Sequence, residues 1–412
     1  MLPKTVGQKR SNDINSVEVI SKVAKTEISP TFDFRAQVFL QCHSKSTGSN
    51  DFSTQVWSCV FEPDKNDSTR TTSSVATCGG NTVCIINCET TKVHARFCQR
   101  NEEFYAVAWT TLSLGSHKTN VLVCAGCLGF VHLIHPDQDT CYGRIKAHSS
   151  PIQTLLFSPT SPTHLLTADK KGNIYLIDID TPTLPEYKFS WKKLLSFKGA
   201  CATPLKLLVP DEGKHLLCAT EGGLFCWKTA GFVSKQCPKT VTSISELTFP
   251  FVGSDEPIVD ALTMLDNGVI VMKCAQQGSI VLWDFDNTKT KISSSKKVSV
   301  DIIAKLRWSL TKQSYLNVAA CHSCSVVAAG DDKGRLWLYN ASYAHGNKSK
   351  SFALVEPENI IPFPLCAAAN GSEISDLQGG TIYNDITCSF DFKYIVVASD
   401  NNVVGIYKRK ET

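Results

Sequence analysis

Residues 257–285 read PIVDALTMLDNGVIVMKCAQQGSIVLWDF: an apolar strand, a turn at Asn267-Gly268, a second apolar strand, a turn ending at Gly278, and a third strand closing on Trp283-Asp284. The same order recurs as VWSCVFEP, VATCGG and TVCIIN within residues 56–87, and as PIQTLLFSP and HLLTADKKGNIYLID within 151–178. Taking the turn residue before each third strand as an anchor gives Asn81, Gly129, Gly172, Gly223, Gly278, Gly334 and Asn402. Gly and Asn tolerate positive φ, which a tight turn between antiparallel strands often demands, so their return at one phase has a steric cause.

Seven anchors imply seven small sheets. Their spacings of 48, 43, 51, 55, 56 and 68 residues bracket and exceed the ~40–45 of a compact WD repeat, so the excess sits in loops. The fold class is therefore all-β: a seven-bladed WD-repeat β-propeller. Blade one is expected over 56–97, two over 104–145, three over 151–187, four over 204–228, five over 257–298, six over 302–353 and seven over 383–410. An unpaired edge in the last blade invites aggregation. The lone stretch FRAQVFLQC at 34–42 supplies a seal, with residues 36–43 expected to complete blade seven as an N-terminal closing strand. The domain reading is a polar N-terminal tail over 1–33 and the propeller over 34–412, with 34–43 closing the ring. The proline-rich run at 356–365 implies an exposed insertion over 340–380, around blades six and seven.

At 412 residues with 42% hydrophobic and 19% charged side chains, one propeller can use the whole length. There is no 18-residue apolar stretch, so no membrane span is expected. A net charge of +4 gives no global polyanion-binding field. Eighteen cysteines without an export signal read as thiols of a reducing compartment. Cys321-His-Ser-Cys324 has the gap of a zinc half-site but no second pair at suitable spacing, so no metal or other cofactor is expected. The chain has no G-x-S-x-G, G-x-x-x-x-G-K, G-x-G-x-x-G after a strand, or H-E-x-x-H, and so reads as a non-enzyme without a small-molecule substrate. His148 stands where a WD repeat often carries Gly-His and reads as structural.

Several stretches resemble one family. VFLQCHSK at 38–45, QVWSCVFEP at 55–63, ATCGGNTVCIINCET at 76–90, EEFYAVAWT at 102–110, GRIKAH at 143–148 and the run through Ile179 are similar to the leucine-rich-repeat and WD-repeat proteins that associate with the origin recognition complex. The resemblance implies a nuclear chromatin scaffold whose propeller contacts origin recognition complex subunits and trimethylated histone tails on nucleosomes. It also implies a place at heterochromatin, centromere and telomere, in support of replication initiation. The family carries leucine-rich repeats ahead of its propeller, and residues 1–33 are too short and polar for such an array. Functions of the propeller are the ones expected here.

A trimethylammonium keeps its charge but has no N–H, so aromatic faces hold it by cation–π attraction. Loops entering the inner strands supply Trp57, Phe104, Tyr105 and Tyr383 as cage candidates, from the neighbouring blades one, two and seven. Glu103 or Asp400 is the expected counter-charge, with Glu221 and Asp331 on the same face. Strand-initiating aromatics also pack between blades, as Trp109 and Phe157 are expected to do. Lys289, Lys291, Lys296 and Lys297 form a basic surface for non-specific DNA contact or a plain solvated face. The alternative function is a generic WD adaptor, such as a ubiquitin-ligase substrate receptor.

Overall fold

A computed structural model describes residues 31–411 apart from 46–50, 233, 235–238, 251–256, 266–267, 293–295, 346–352 and 365–379. Seven antiparallel sheets follow one another along the chain as the blades of a propeller. Blade 1 is Val56–Pro63, Thr71–Gly79, Thr82–Asn87 and Lys92–Cys98. Blade 2 runs from Phe104–Leu114 to Thr140–Lys146, blade 3 from Ile152–Phe157 to Lys192–Phe197, and blade 4 from Pro204–Leu208 to Ile244–Thr248. Blade 5 spans Val259–Met264 to Asp301–Arg307, and blade 6 Val318–Cys321 to Asn359–Ile361. Blade 7 is Tyr383–Cys388, Tyr394–Ser399 and Val404–Arg409. Its outer strand is Phe34–Leu40, antiparallel to Val404–Arg409. The closing strand thus starts at the first residue of the 34–43 reading and ends at Leu40. The tail expected over 1–33 lies outside the described residues as far as residue 30.

The positive-φ argument for the anchors holds at six of seven, from Gly129 (φ 70°) to Asn402 (φ 62°). In blade 1 the strained residue is Gly80 (φ 50°), one position ahead of Asn81. Every pair of neighbouring blades encloses its own buried cluster, so each sheet is apolar on both faces. That is why the central strands read as unbroken apolar runs rather than as an alternation.

The long anchor spacings have a structural cause. Between the third and fourth strands of blades 4, 5 and 6 the chain reaches back to the preceding blade and adds a short parallel strand to its outer edge. Thr240–Val241 pairs with blade 3, Lys297–Ser299 with blade 4 and Ala353–Val355 with blade 5. Blade 3 uses side chains instead: Tyr187 in its insertion bonds His135 of blade 2 (2.7 Å) and stacks on Tyr142 at 5.3 Å. The outer edges of blades 3, 4 and 5 thereby gain a paired strand, which removes open ladders that would pair with other chains. These insertions account for the misplaced blade boundaries. Asp301–Arg307 closes blade 5 instead of opening blade 6, because the helix Phe285–Ile292 precedes it. Blades 3 and 4 extend past residues 187 and 228 to their fourth strands. Of the exposed insertion expected over 340–380, residues 346–352 and 365–379 lie outside the described residues, and Ala353–Val355 and Asn359–Ile361 within it are strands of blades 5 and 6.

His148 is buried, with its Nδ1 3.2 Å from Asp169 and its Nε2 2.8 Å from the Thr167 hydroxyl, and its ring lies flat on Tyr175. Asp169 also accepts the Lys171 and Asn173 N–H groups and so fixes the next turn. His148→Ala is expected to cost about 2–3 kcal/mol, read as a lower urea midpoint at unchanged m. Burial holds the His43, His135, His148 and His164 imidazoles below the ordinary 6.5. The unfolded chain therefore takes up these protons first. Stability is expected to be flat with respect to them above pH 6.5 and to fall as pH drops below it, measured by thermal melts across that range.

Candidate functional site

The inner strands share a deviation that builds the site. In six blades the pairing register slips by one residue at the same place, so that Trp57, Tyr105, Gln153, Leu205, Asp260 and Asn384 bulge out of the ladder. Asn317 takes the corresponding place in blade 6, directly ahead of Val318, which pairs with Ala329. A bulge re-aims its side chain. Here six of the seven positions, all but Asn384, line one cavity of about 300 Å³ together with Lys170, Lys206, Glu221 and Tyr315. Asn384 turns aside, its amide donating to the Val56 carbonyl (3.1 Å).

Within this cavity Trp57 and Tyr105 meet edge to face, with ring centroids 6.2 Å apart and planes at 86°. The Trp57 indole Nε1 is buried without an acceptor. Tyr105 donates its hydroxyl to Glu103 (3.3 Å). Tyr315, 43% exposed, donates to Glu221 (2.8 Å), which with burial pushes its phenol up to about 12 and keeps the hydroxyl a neutral donor. The loop carrying Tyr315 is pinned from below: Asp260 accepts the Tyr315 N–H (2.8 Å) and the Lys273 ammonium (2.5 Å). Lys273 is fully buried and lies 4.9 Å from the Trp308 ring centroid. Three rings and a carboxylate thus face one space large enough for a side chain.

Of the four aromatic candidates, the structure brings Trp57 and Tyr105 together and withdraws the other two. Phe104 precedes the bulge, is 0% exposed and packs between blades 1 and 2 against Phe97 and His132. Tyr383, at the same phase in blade 7, is 1% exposed with its hydroxyl 2.7 Å from that of Tyr407. Neither ring can face a ligand, because adjacent strand residues point to opposite sides. Neither acid lines the cavity: Glu103 accepts the Tyr105 hydroxyl (3.3 Å), and Asp400 accepts the Ile382 N–H (2.9 Å). Asp331 is buried and holds Arg335 and Trp337. Tyr315 escaped the sequence reading because its loop was counted inside blade six.

Lys289, Lys291 and Lys297 are ion-paired with Asp286, Asp301 and Glu246 at 2.5, 2.6 and 3.1 Å. Changing all four lysines of that surface to Gln is expected to alter DNA retention less than twofold, checked by salt-gradient elution from immobilised duplex. The sulfurs of Cys321 and Cys324 lie 3.3 Å apart in mutual contact. Cys42, His43 and Cys84 place ligand atoms within 4.8 Å of one another. His43, however, already uses Nδ1 on the Thr82 carbonyl and Nε2 on the Thr77 hydroxyl, so its ring is a strut between turn and strand. Trp109 donates to the Val60 carbonyl (3.1 Å) and packs between blades 1 and 2, and Phe157 packs between blades 2 and 3.

The sequence profile of the family described as leucine-rich repeat and WD repeat-containing protein 1, WD domain, matches residues 29–410. The chain belongs to this family. Leucine-rich repeat and WD repeat-containing protein 1 of Homo sapiens is 34% identical over 388 residues, covering 90% of this chain and 57% of the human protein. That of Xenopus tropicalis is 33% identical over 432 residues, covering 99% and 60%. The chain thus spans 60% or less of the length of these curated relatives. Among solved structures the disc resembles a chain of the Chaetomium thermophilum polycomb repressive complex 2, with TM-score 0.68 and 13% identity over 91% of this chain and 98% of that one. A chain of that complex with H3K27me3 and H3K27M gives TM-score 0.66 at 12% identity. Such identities show a shared fold. The fold and the family together describe a WD-repeat β-propeller.

Proposed function

We propose that this chain is a non-catalytic chromatin reader whose cavity takes a methylated lysine of a histone tail, and that it associates with the origin recognition complex in the nucleus. The observation that carries the reading is the convergence of Trp57, Tyr105, Tyr315 and Glu221 on one cavity of about 300 Å³. Each ring face adds on the order of 0.5–2 kcal/mol of cation–π attraction, more as water is excluded. Glu221 supplies a carboxylate that a trimethylammonium, having no N–H, cannot neutralise by proton transfer. Among the solved relatives in fold, one belongs to a polycomb repressive complex 2 in complex with H3K27me3 and H3K27M, which supports a methyl-lysine reading of this architecture. The family resemblance supports the origin-complex association and a place at heterochromatin, centromere and telomere.

The test is a calorimetric titration of the purified chain with trimethylated and unmodified histone-tail peptides. Binding is expected for the trimethylated peptides, weakened about tenfold or more by Trp57→Ala or Tyr315→Ala. Phe104 and Tyr383 enter no such test, since replacing either opens the core. Equal binding of trimethylated and unmodified peptides, or full affinity in both variants, overturns the proposal.

A further inference from the structure

The cavity that holds the aromatic rings also holds two lysines. Lys206 is the residue after the bulge in the blade 4 inner strand, and Lys170 stands in the turn after the second strand of blade 3. Lys170 is anchored through its backbone, donating its N–H to Pro151 (2.8 Å) and accepting the Thr203 hydroxyl (3.4 Å), so its place beside blade 4 is fixed. The nearby carboxylates are engaged elsewhere. Asp260 is held by Lys273 and the Tyr315 N–H, Glu221 by the Tyr315 hydroxyl, and Asp385, lower in the channel, by the N–H groups of Cys59 and Ile386. Among the described residues, neither Lys170 nor Lys206 has a carboxylate within ion-pair distance.

The cavity is thus divided. Blades 1, 2 and 6 present rings, and blades 3 and 4 present two ammoniums that no carboxylate contacts, with Glu221 of blade 4 held at the Tyr315 hydroxyl. A methylated lysine that draws on Glu221 would bring a third cation into the same space, where Asp260 is already paired with Lys273. We infer that the ligand is a methylated lysine with an anionic group, carboxylate or phosphate, within about three residues of it, and that Lys170 and Lys206 read that anion. The inference rests on the methyl-lysine reading above. An extended peptide advances roughly 3.3–3.6 Å per residue, so an anion two or three positions away lies some 7–11 Å from the cage. Lys170 and Lys206 are then specificity-determining residues for the proposed site. They select the sequence context of the mark, while the rings select the mark.

The experiment uses the full chain and four twelve-residue peptides with a central trimethyl-lysine, carrying serine, phosphoserine, aspartate or arginine two residues from it, tested on each side in turn. Dissociation constants are measured at low and at physiological salt. From one side, phosphoserine and aspartate are expected to bind on the order of fivefold tighter than serine, and arginine more weakly, since partly exposed ion pairs are worth a fraction of a kcal/mol to about one each. A gain from phosphoserine alone identifies the anion as phosphate. The gain is expected to vanish in Lys170→Gln/Lys206→Gln and to shrink as salt rises. If trimethyl-lysine peptides bind in a Trp57-dependent way but all four bind alike, or if the gain survives the double substitution, this inference is overturned and the cage stands. If no trimethylated peptide binds, both readings fall together.

Discussion

A chain lacking residues 31–43 is expected to have no cooperative unfolding transition and to aggregate on expression. The segment joins the first and last blades. Phe34 to Leu40 pair with Arg409 to Val404 along the whole outer edge of blade 7. Phe34 is buried edge-on against Phe392 at 4.9 Å, and Phe39 packs against Tyr407 at 5.9 Å. His43 continues into blade 1, its N–H donating to Asn402 (2.9 Å) and its ring reaching Thr77 and Thr82. Truncating one buried Phe costs about 3–5 kcal/mol. Removing the segment loses two aromatic anchors, a ladder and the blade 7–blade 1 strut together, a loss on the scale of the ~5–15 kcal/mol that holds a typical domain. Phe34→Ala alone is expected to retain the fold and unfold at a lower urea concentration, by about 3 kcal/mol. Circular dichroism melts of the two variants check this, and a truncated chain that melts like the parent contradicts it.

Lys273→Ala is expected to be the most damaging single substitution at the site. Lys273 and Asp260 are both fully buried, and removing the lysine strands a carboxylate that burial already pushes upward. Breaking one partner of a buried pair costs about 3–5 kcal/mol, whereas replacing both with apolar residues of similar volume is close to neutral. Asp260→Leu/Lys273→Met is therefore expected to recover most of the lost stability. It is not expected to recover binding. The Tyr315 N–H then has no acceptor, the loop that presents the third ring loses its pin, and affinity for a trimethyl-lysine peptide falls about fivefold or more. Denaturant unfolding and peptide titration on the same three proteins separate the two effects. Affinity restored in step with stability would show that Asp260 does not position Tyr315.

The blades were legible in the sequence because each carries its own turn residue and its own apolar runs, and those signals are local. The closing strand was legible for a different reason: FRAQVFLQC had β character and no partner nearby, while VVGIYKR lacked an outer strand. Outer strands were harder to read. In blades 3 to 6 they follow insertions of a dozen or more residues that reach back to the previous blade, by strand pairing in blades 4 to 6 and through Tyr187 in blade 3, and no local signal announces a contact of that kind. The site was half legible for a reason of phase. Phe104 and Tyr105 are consecutive, so one of them had to face inward, and only the register slip at the bulge decides which. Tyr383 fell on the buried side of the same rule. Tyr315 and the unpaired Lys170 and Lys206 depend on how the blades converge, which spacing along the chain does not encode.

The central claim is that a methylated lysine enters the space between Trp57, Tyr105 and Tyr315. Ring currents report this directly, since N-methyl protons held over aromatic faces resonate upfield of their free position. Proton NMR of a trimethyl-lysine histone-tail peptide titrated with the full chain is expected to show its N-methyl signal move upfield and broaden, and to show no movement with Trp57→Ala. An N-methyl signal that stays at the free-peptide position at saturating protein, or that moves equally with the Trp57→Ala chain, would contradict the account.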